Sequence, residues 1–100
     1  EEVYHCAAIV SFLPEDRKKL LQYNTKGTAN LVNASLEKKV RKLCYVSSIA
    51  ALGRPENQTD LIDENLVWKT SKHNSVYAVS KYGAEREVWR GTAEGLDVIS

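Results

Sequence analysis

A chain of 100 residues allows one domain with a modest core, and 43% hydrophobic with 27% charged residues are ordinary globular proportions that exclude disordered and collagen-like classes. Fourteen Lys and Arg against thirteen Asp and Glu leave a formal charge of +1, which argues against nucleic acid as the main partner. No signal-peptide or membrane-span pattern is present, and the expectation is a cytoplasmic protein with no membrane partner.

Glu2-Val3-Tyr4-His5-Cys6-Ala7-Ala8-Ile9-Val10 reads as a short apolar strand passing into small residues, the form of a buried parallel strand that ends at a crevice. Pro14-Glu15-Asp16 opens a helix, with proline in the first turn and acids near the positive end of the dipole. The helix is expected to run to about Leu36. Its stripe of Leu20, Leu21, Leu31 and Val32 also carries Asn24, Gly27 and Thr28, whose polar groups need partners on an inward face. Gly27 weakens a helix by about 1 kcal/mol against Ala, and close approach of another backbone is the expected reason for it. Lys38-Lys39-Val40-Arg41-Lys42 reads as a solvated turn.

Leu43-Cys44-Tyr45-Val46 is a second strand, uninterrupted by charge and expected to be covered on both faces. Cys6 and Cys44 fall in apolar runs and fit reduced core residues. The second strand ends in Ser47-Ser48, and in open parallel sheets the ligand crevice lies at the carboxyl ends of strands. Residues 53–74 are polar and irregular, a length that points to a substrate-side loop. Asn74 or Ser75 caps a helix over 76–94, Gly91 and Gly95 bring it to its end, and Leu96-Asp97-Val98-Ile99 begins a third strand. The order is strand, helix, strand, helix, strand: an α/β fold, a βαβαβ unit with parallel strands and both helices on one face of the sheet.

The last helix places Tyr77 and Lys81 one turn apart on one face, and the stripe continues through Ala84 and Val88, so the lysine points inward. An ammonium there favours the phenolate form of the tyrosine and suits it to proton exchange. His5 reads as a satisfied strand-end histidine, and no spacing of Cys, His and carboxylates suggests a metal.

These residues resemble the extended short-chain dehydrogenase/reductase family, the NAD-dependent epimerases, dehydratases and reductases. The resemblance rests on Val3-Tyr4-His5-Cys6-Ala7-Ala8, on Asn24-Thr25-Lys26-Gly27-Thr28, on Tyr45-Val46-Ser47-Ser48 with the following Gly53, and on Tyr77-Ala78-Val79-Ser80-Lys81 followed by Ala84-Glu85. It covers nearly the whole chain. It implies a Rossmann-type doubly wound parallel sheet of which residues 1–100 are the central piece, with the glycine-rich phosphate-binding part upstream and most of the substrate-binding part downstream. It implies NAD or NADP as cofactor, a small-molecule substrate, and a homodimer face built from the two helices.

Carried over residue by residue, the resemblance makes Tyr77 the acid/base. Lys81 becomes the residue that favours its ionised form while holding the nicotinamide ribose, and Ser48 the hydroxyl on the substrate oxygen. Asn24 lines the nicotinamide-side pocket, and Cys6, Ala7 and Ala8 pass beside the cofactor. Ser47 is given a structural role. Sugar-nucleotide epimerases usually carry a tyrosine where this chain has Leu52, which turns preference toward the dihydroflavonol-reductase-like and hydroxysteroid-dehydrogenase-like branches. The competing reading is a non-catalytic dinucleotide-binding or scaffold protein on the same fold. The 100-residue piece alone is expected to be inactive and loosely packed.

Overall fold

The structure, a computed structural model, describes residues 1–55, 57 and 60–100. Three parallel strands lie in the order β1 (Glu2–His5), β2 (Lys42–Tyr45), β3 (Val98–Ile99). Between β1 and β2 the chain runs through a 3-10 turn (Pro14–Asp16), α1 (Arg17–Leu20), a π-helical stretch (Leu21–Lys26) and α2 (Gly27–Glu37). Between β2 and β3 it forms a 3-10 turn (Ile49–Leu52), an irregular segment and α3 (Val76–Ala93). The expected order and parallel pairing therefore hold.

The register aligns Val3, Leu43 and Val98 across the sheet, and on the alternate positions Tyr4, Cys44 and Ile99. Successive side chains of a strand point to opposite faces, so the first row turns toward the helices. There Leu43 and Tyr45 join Val32 of α2, Ala84 and Val88 of α3 and Leu96 in one buried cluster, with Val3, Leu31, Leu36 and Val98 packed against it. A core shared by α2, α3 and a single sheet face puts both helices on that face, as expected. The opposite face is not covered: Tyr4 is 70% exposed, Val46 52% and Ile99 53%. The expectation that β2 is covered on both faces thus holds for one face only, because both connections in this chain cross on the same side. Cys6 and Cys44 are free thiols, and Cys6 is exposed instead of lying in the core, beyond the last residue of β1.

β1 stops at His5 and does not continue to Val10. Pairing with β2 ends at His5 and Tyr45, and the backbone of Ile9 finds its partners elsewhere. Its N–H donates to Asn24 Oδ1 at 2.8 Å, and its carbonyl accepts from Asn24 Nδ2 at 2.9 Å. One carboxamide supplies the donor and acceptor that a neighbouring strand would have given.

The long helix is continuous but not uniformly α: the π-helical stretch contains Asn24, and such local unwinding is frequent at functional sites. The close approach expected at Gly27 is not there. A β-carbon built on Gly27 would meet nothing nearer than the Gln22 carbonyl at 3.8 Å, because that side of the residue faces a cavity. Close approach occurs instead at Gly83 and Gly91 of α3, where an added β-carbon would lie 2.9 Å from Thr25 Oγ1 and 2.6 Å from Val32 Cγ1 respectively. Gly91 sits inside α3 and does not end it; the helix closes at Glu94, and Gly95 takes the positive φ of 101° that favours glycine.

At the other end of α3 the Ser75 hydroxyl accepts from the Ala78 N–H at 3.0 Å, so Ser75 is the cap. Lys38, Lys39 and Arg41 are exposed, as a solvated turn requires, while Lys42 already belongs to β2. The loop expected over 53–74 contains no strand or helix among its described residues, and Glu56, Gln58 and Thr59 lie outside them. Among the described residues no helix is long and apolar enough to cross a membrane.

Candidate active site

The ends of β1 and β2 and the first turns of α3 converge around Lys81. Its side chain is 3% exposed, its Nζ donates to the Val46 carbonyl at 2.9 Å, and the ammonium sits 4.6 Å from the centroid of the Tyr45 ring. Burial pushes the Lys81 ammonium below the usual lysine range, and the Glu85 carboxylate, one turn further along α3, works against that. The His5 and Tyr45 ring centroids are 5.4 Å apart, and His5 Nε2 hydrogen-bonds Thr28 Oγ1 at 2.8 Å. The satisfied strand-end histidine is therefore observed. Burial lowers the His5 pKa, and the Lys81 charge adds to the effect. The Tyr45 hydroxyl is buried without a hydrogen-bond partner among the described residues, and burial, followed by the charges of Glu85 and Tyr77, pushes it up.

Tyr77 is half-buried, its ring edge-on to Phe12 with centroids 5.7 Å apart. Its backbone is fixed by a network that the sequence did not announce. The Ser80 hydroxyl donates to the Tyr77 carbonyl at 2.8 Å and accepts from Asn24 Nδ2 at 2.9 Å, while Thr25 Oγ1 donates to the Ser80 carbonyl at 2.9 Å. Asn24, 2% exposed, thus joins the segment after β1 to the first turns of α3. The available signal was the serine between Tyr77 and Lys81, one residue before a buried ammonium.

A cavity of about 370 Å³ opens at the end of β1, lined by His5, Ala7, Ala8, Ile9, Asn24 and Gly27 among others. Asn24, Ala7 and Ala8 are brought together there as the sequence suggested; Cys6 is not among the lining residues. The lining tests whether a nicotinamide dinucleotide fits. Ala7, Ala8, Ile9, Gly27 and Leu31 give it small and apolar walls, His5, Tyr23 and Asn24 add polar groups, and the space beside Gly27 is one that a β-carbon would begin to fill. Lys81 is not among the lining residues, but its buried ammonium spends one donor on Val46 and retains others for a hydroxyl-bearing ligand. These features fit the group.

Ser48 is not brought to this cavity; it lines a separate one with Ser47, Leu52, Glu85 and Trp89. Its Oγ accepts the Ala50 N–H at 3.2 Å and caps the 3-10 turn, which leaves its own hydrogen free to donate. Ser47 has the structural role expected for it, its hydroxyl donating to Glu85. A second contact absent from the sequence reading ties down the loop before α3. Trp68 stacks on Tyr82 at 4.1 Å between centroids and 4° between planes, and also lies against Gly53.

The model of the NAD dependent epimerase/dehydratase family matches residues 1–100. Dihydroflavonol 4-reductase of Medicago sativa is 32% identical over 108 residues, covering 98% of this chain and 49% of the relative. Sterol demethylase protein B of Methylococcus capsulatus is 31% identical over 98 residues, covering 98% and 29%. The chain spans half or less of these curated relatives. Among solved structures, a short-chain dehydrogenase/reductase superfamily protein from Agrobacterium tumefaciens, crystallised with bound NAD, superposes with a TM-score of 0.78 at 28% identity over 98% of this chain and 29% of that one.

Proposed function

Since the chain belongs to the NAD dependent epimerase/dehydratase family, we propose that the protein carrying it is an NAD(P)-dependent oxidoreductase acting between a secondary alcohol and a ketone, with Tyr77 as acid/base. The observation that carries this reading is the buried Lys81 ammonium, on the same face of α3 as Tyr77 and at the ends of β1 and β2. A desolvated cation in a protein interior is costly unless it is used or paired.

The nicotinamide group supplies or accepts the hydride when bound. In the direction of reduction, the Tyr77 hydroxyl gives its proton to the carbonyl oxygen as negative charge develops there, and in the other direction it takes the proton back. Lys81 stabilises the phenolate left on Tyr77 and uses a remaining N–H for a ribose hydroxyl. The Ser48 hydroxyl, whose oxygen is already engaged by Ala50, donates to the same substrate oxygen. Ala7, Ala8 and Gly27 leave room beside the cofactor, and Asn24 holds that wall in place.

The reading extends to residues 1–100 as the central part of a larger Rossmann domain, to a cytoplasmic setting consistent with two free thiols, and to a homodimer through the outward faces of α2 and α3. It leaves residues 1–100 by themselves without activity, because none of their glycines forms a glycine-rich turn at a helix start to hold phosphates.

The test is a titration of the full protein with NADH and NADPH, read by nicotinamide fluorescence. Binding of at least one of them is expected, weakened at least about tenfold in Lys81→Ala and retained in Ser48→Ala, in keeping with loss of a charge-assisted hydrogen bond in one variant only. Failure of both dinucleotides to bind, or parent-like affinity in Lys81→Ala, refutes the assignment.

A further inference from the structure

Two successive residues at the end of β2 are tied to two positions one turn apart on α3. The Val46 carbonyl accepts from Lys81 Nζ at 2.9 Å, and the Ser47 hydroxyl donates to Glu85 Oε2. The other oxygen of Glu85 accepts from the Trp89 indole N–H at 3.2 Å, one turn further on. Both oxygens of the carboxylate therefore accept, which is the pattern of an ionised group. Ser48 is the next residue after this tie, so its position relative to Tyr77, on the same helix, depends on it.

We infer that Glu85 and Ser47 are positioning residues: together they lock the end of β2 to α3, holding Ser48 and Lys81 in place, and the Glu85 carboxylate is the counter-charge of the buried Lys81 ammonium. This rests on the proposed chemistry for its consequence, not for its geometry. The charged and titratable groups in reach of Lys81 are His5 from β1, Tyr45 from β2 and Glu85 on α3 itself. Of these Glu85 alone is a carboxylate. The direction agrees, since Glu85 raises the Lys81 pKa against the effect of burial. Hydrogen bond and charge are separable, because glutamine at position 85 keeps an acceptor for Ser47 and drops the charge, while Ser47→Ala drops the hydrogen bond and keeps the charge.

The experiment follows the 13Cε resonance of Lys81 in the full protein as pH is raised, the signal being assigned by its absence in Lys81→Arg. Glu85→Gln is expected to move the Lys81 titration to lower pH, and Ser47→Ala to leave it near the parent. Turnover should fall in Ser47→Ala, by up to about a hundredfold, with an unshifted pH profile, the loss that misplacement of a reacting group by about an ångström produces. An unmoved Lys81 titration in Glu85→Gln overturns the counter-charge, and parent-like turnover in Ser47→Ala overturns the positioning role. The Lys81 titration needs neither substrate nor cofactor. A protein that binds no dinucleotide and still shows the shift in Glu85→Gln would sink the proposed function while the Glu85–Lys81 pairing stood.

Discussion

Gly27→Ala separates stability from binding in a way that few substitutions in this chain can. Gly27 has ordinary helical angles, φ −59° and ψ −43°, so alanine adopts its backbone without strain. The added methyl meets only the Gln22 carbonyl oxygen, at 3.8 Å, an ordinary contact. Alanine is better than glycine in a helix interior by about 0.8–1.0 kcal/mol, and no clash opposes the gain. Stability should rise by roughly 0.5–1 kcal/mol, seen in urea as a higher midpoint at unchanged slope. The same methyl takes room from the cavity lined by His5, Ala7, Ala8 and Asn24, so nicotinamide dinucleotide should bind more weakly to the more stable protein. A clear loss of stability would refute the reasoning, since it would mean that a backbone does approach Gly27; unchanged binding would remove the cavity from the cofactor site.

Gly91→Ala should do the reverse, because its β-carbon would lie 2.6 Å from Cγ1 of the fully buried Val32; overpacking of this kind costs about 1–3 kcal/mol and should lower the urea midpoint even after the gain in helix propensity. The lowered pKa of His5 means that the unfolded chain binds more protons as pH falls through the ordinary histidine value of about 6.5. Stability should therefore decline over that window and on toward the folded pKa. His5→Gln should flatten the decline in urea titrations taken across it, and an unchanged slope would count against burial as the cause. Lys81, also lowered, acts in the same sense on the alkaline side, so its contribution should make stability rise with pH up to the ordinary lysine range.

The element order was legible because apolar runs, helix caps and turn residues agree with one another along the chain. The Tyr77, Lys81, Ala84, Val88 stripe was legible for the same reason: helical spacing alone sends Lys81 to the face where it is found 3% exposed. What the sequence hid was the pairing of polar groups between distant segments. Asn24 could be assigned to an inward face, but not to both hydrogen bonds of Ile9. Gly27, Gly83 and Gly91 look alike as letters; only the packing of α2 against α3 shows which of them a methyl would obstruct. The stacking of Trp68 on Tyr82 joins a loop to a helix and has no periodic signature. The uncovered row of Tyr4, Val46 and Ile99 misled in another way, since an apolar strand reads as covered on both faces whether or not the covering segments are in the chain.

The central claim is that Tyr77 carries the proton, and its most direct measurement is the pH–rate profile of Tyr77→Phe in the full protein, set beside the dinucleotide affinity of the same variant. Phenylalanine keeps the ring that packs edge-on against Phe12 and removes only the hydroxyl, so affinity should be close to the parent while turnover falls by about 10²–10⁴, the usual contribution of a general acid/base. Turnover near that of the parent at every pH would show that Tyr77 is a packing residue and that another group or water carries the proton.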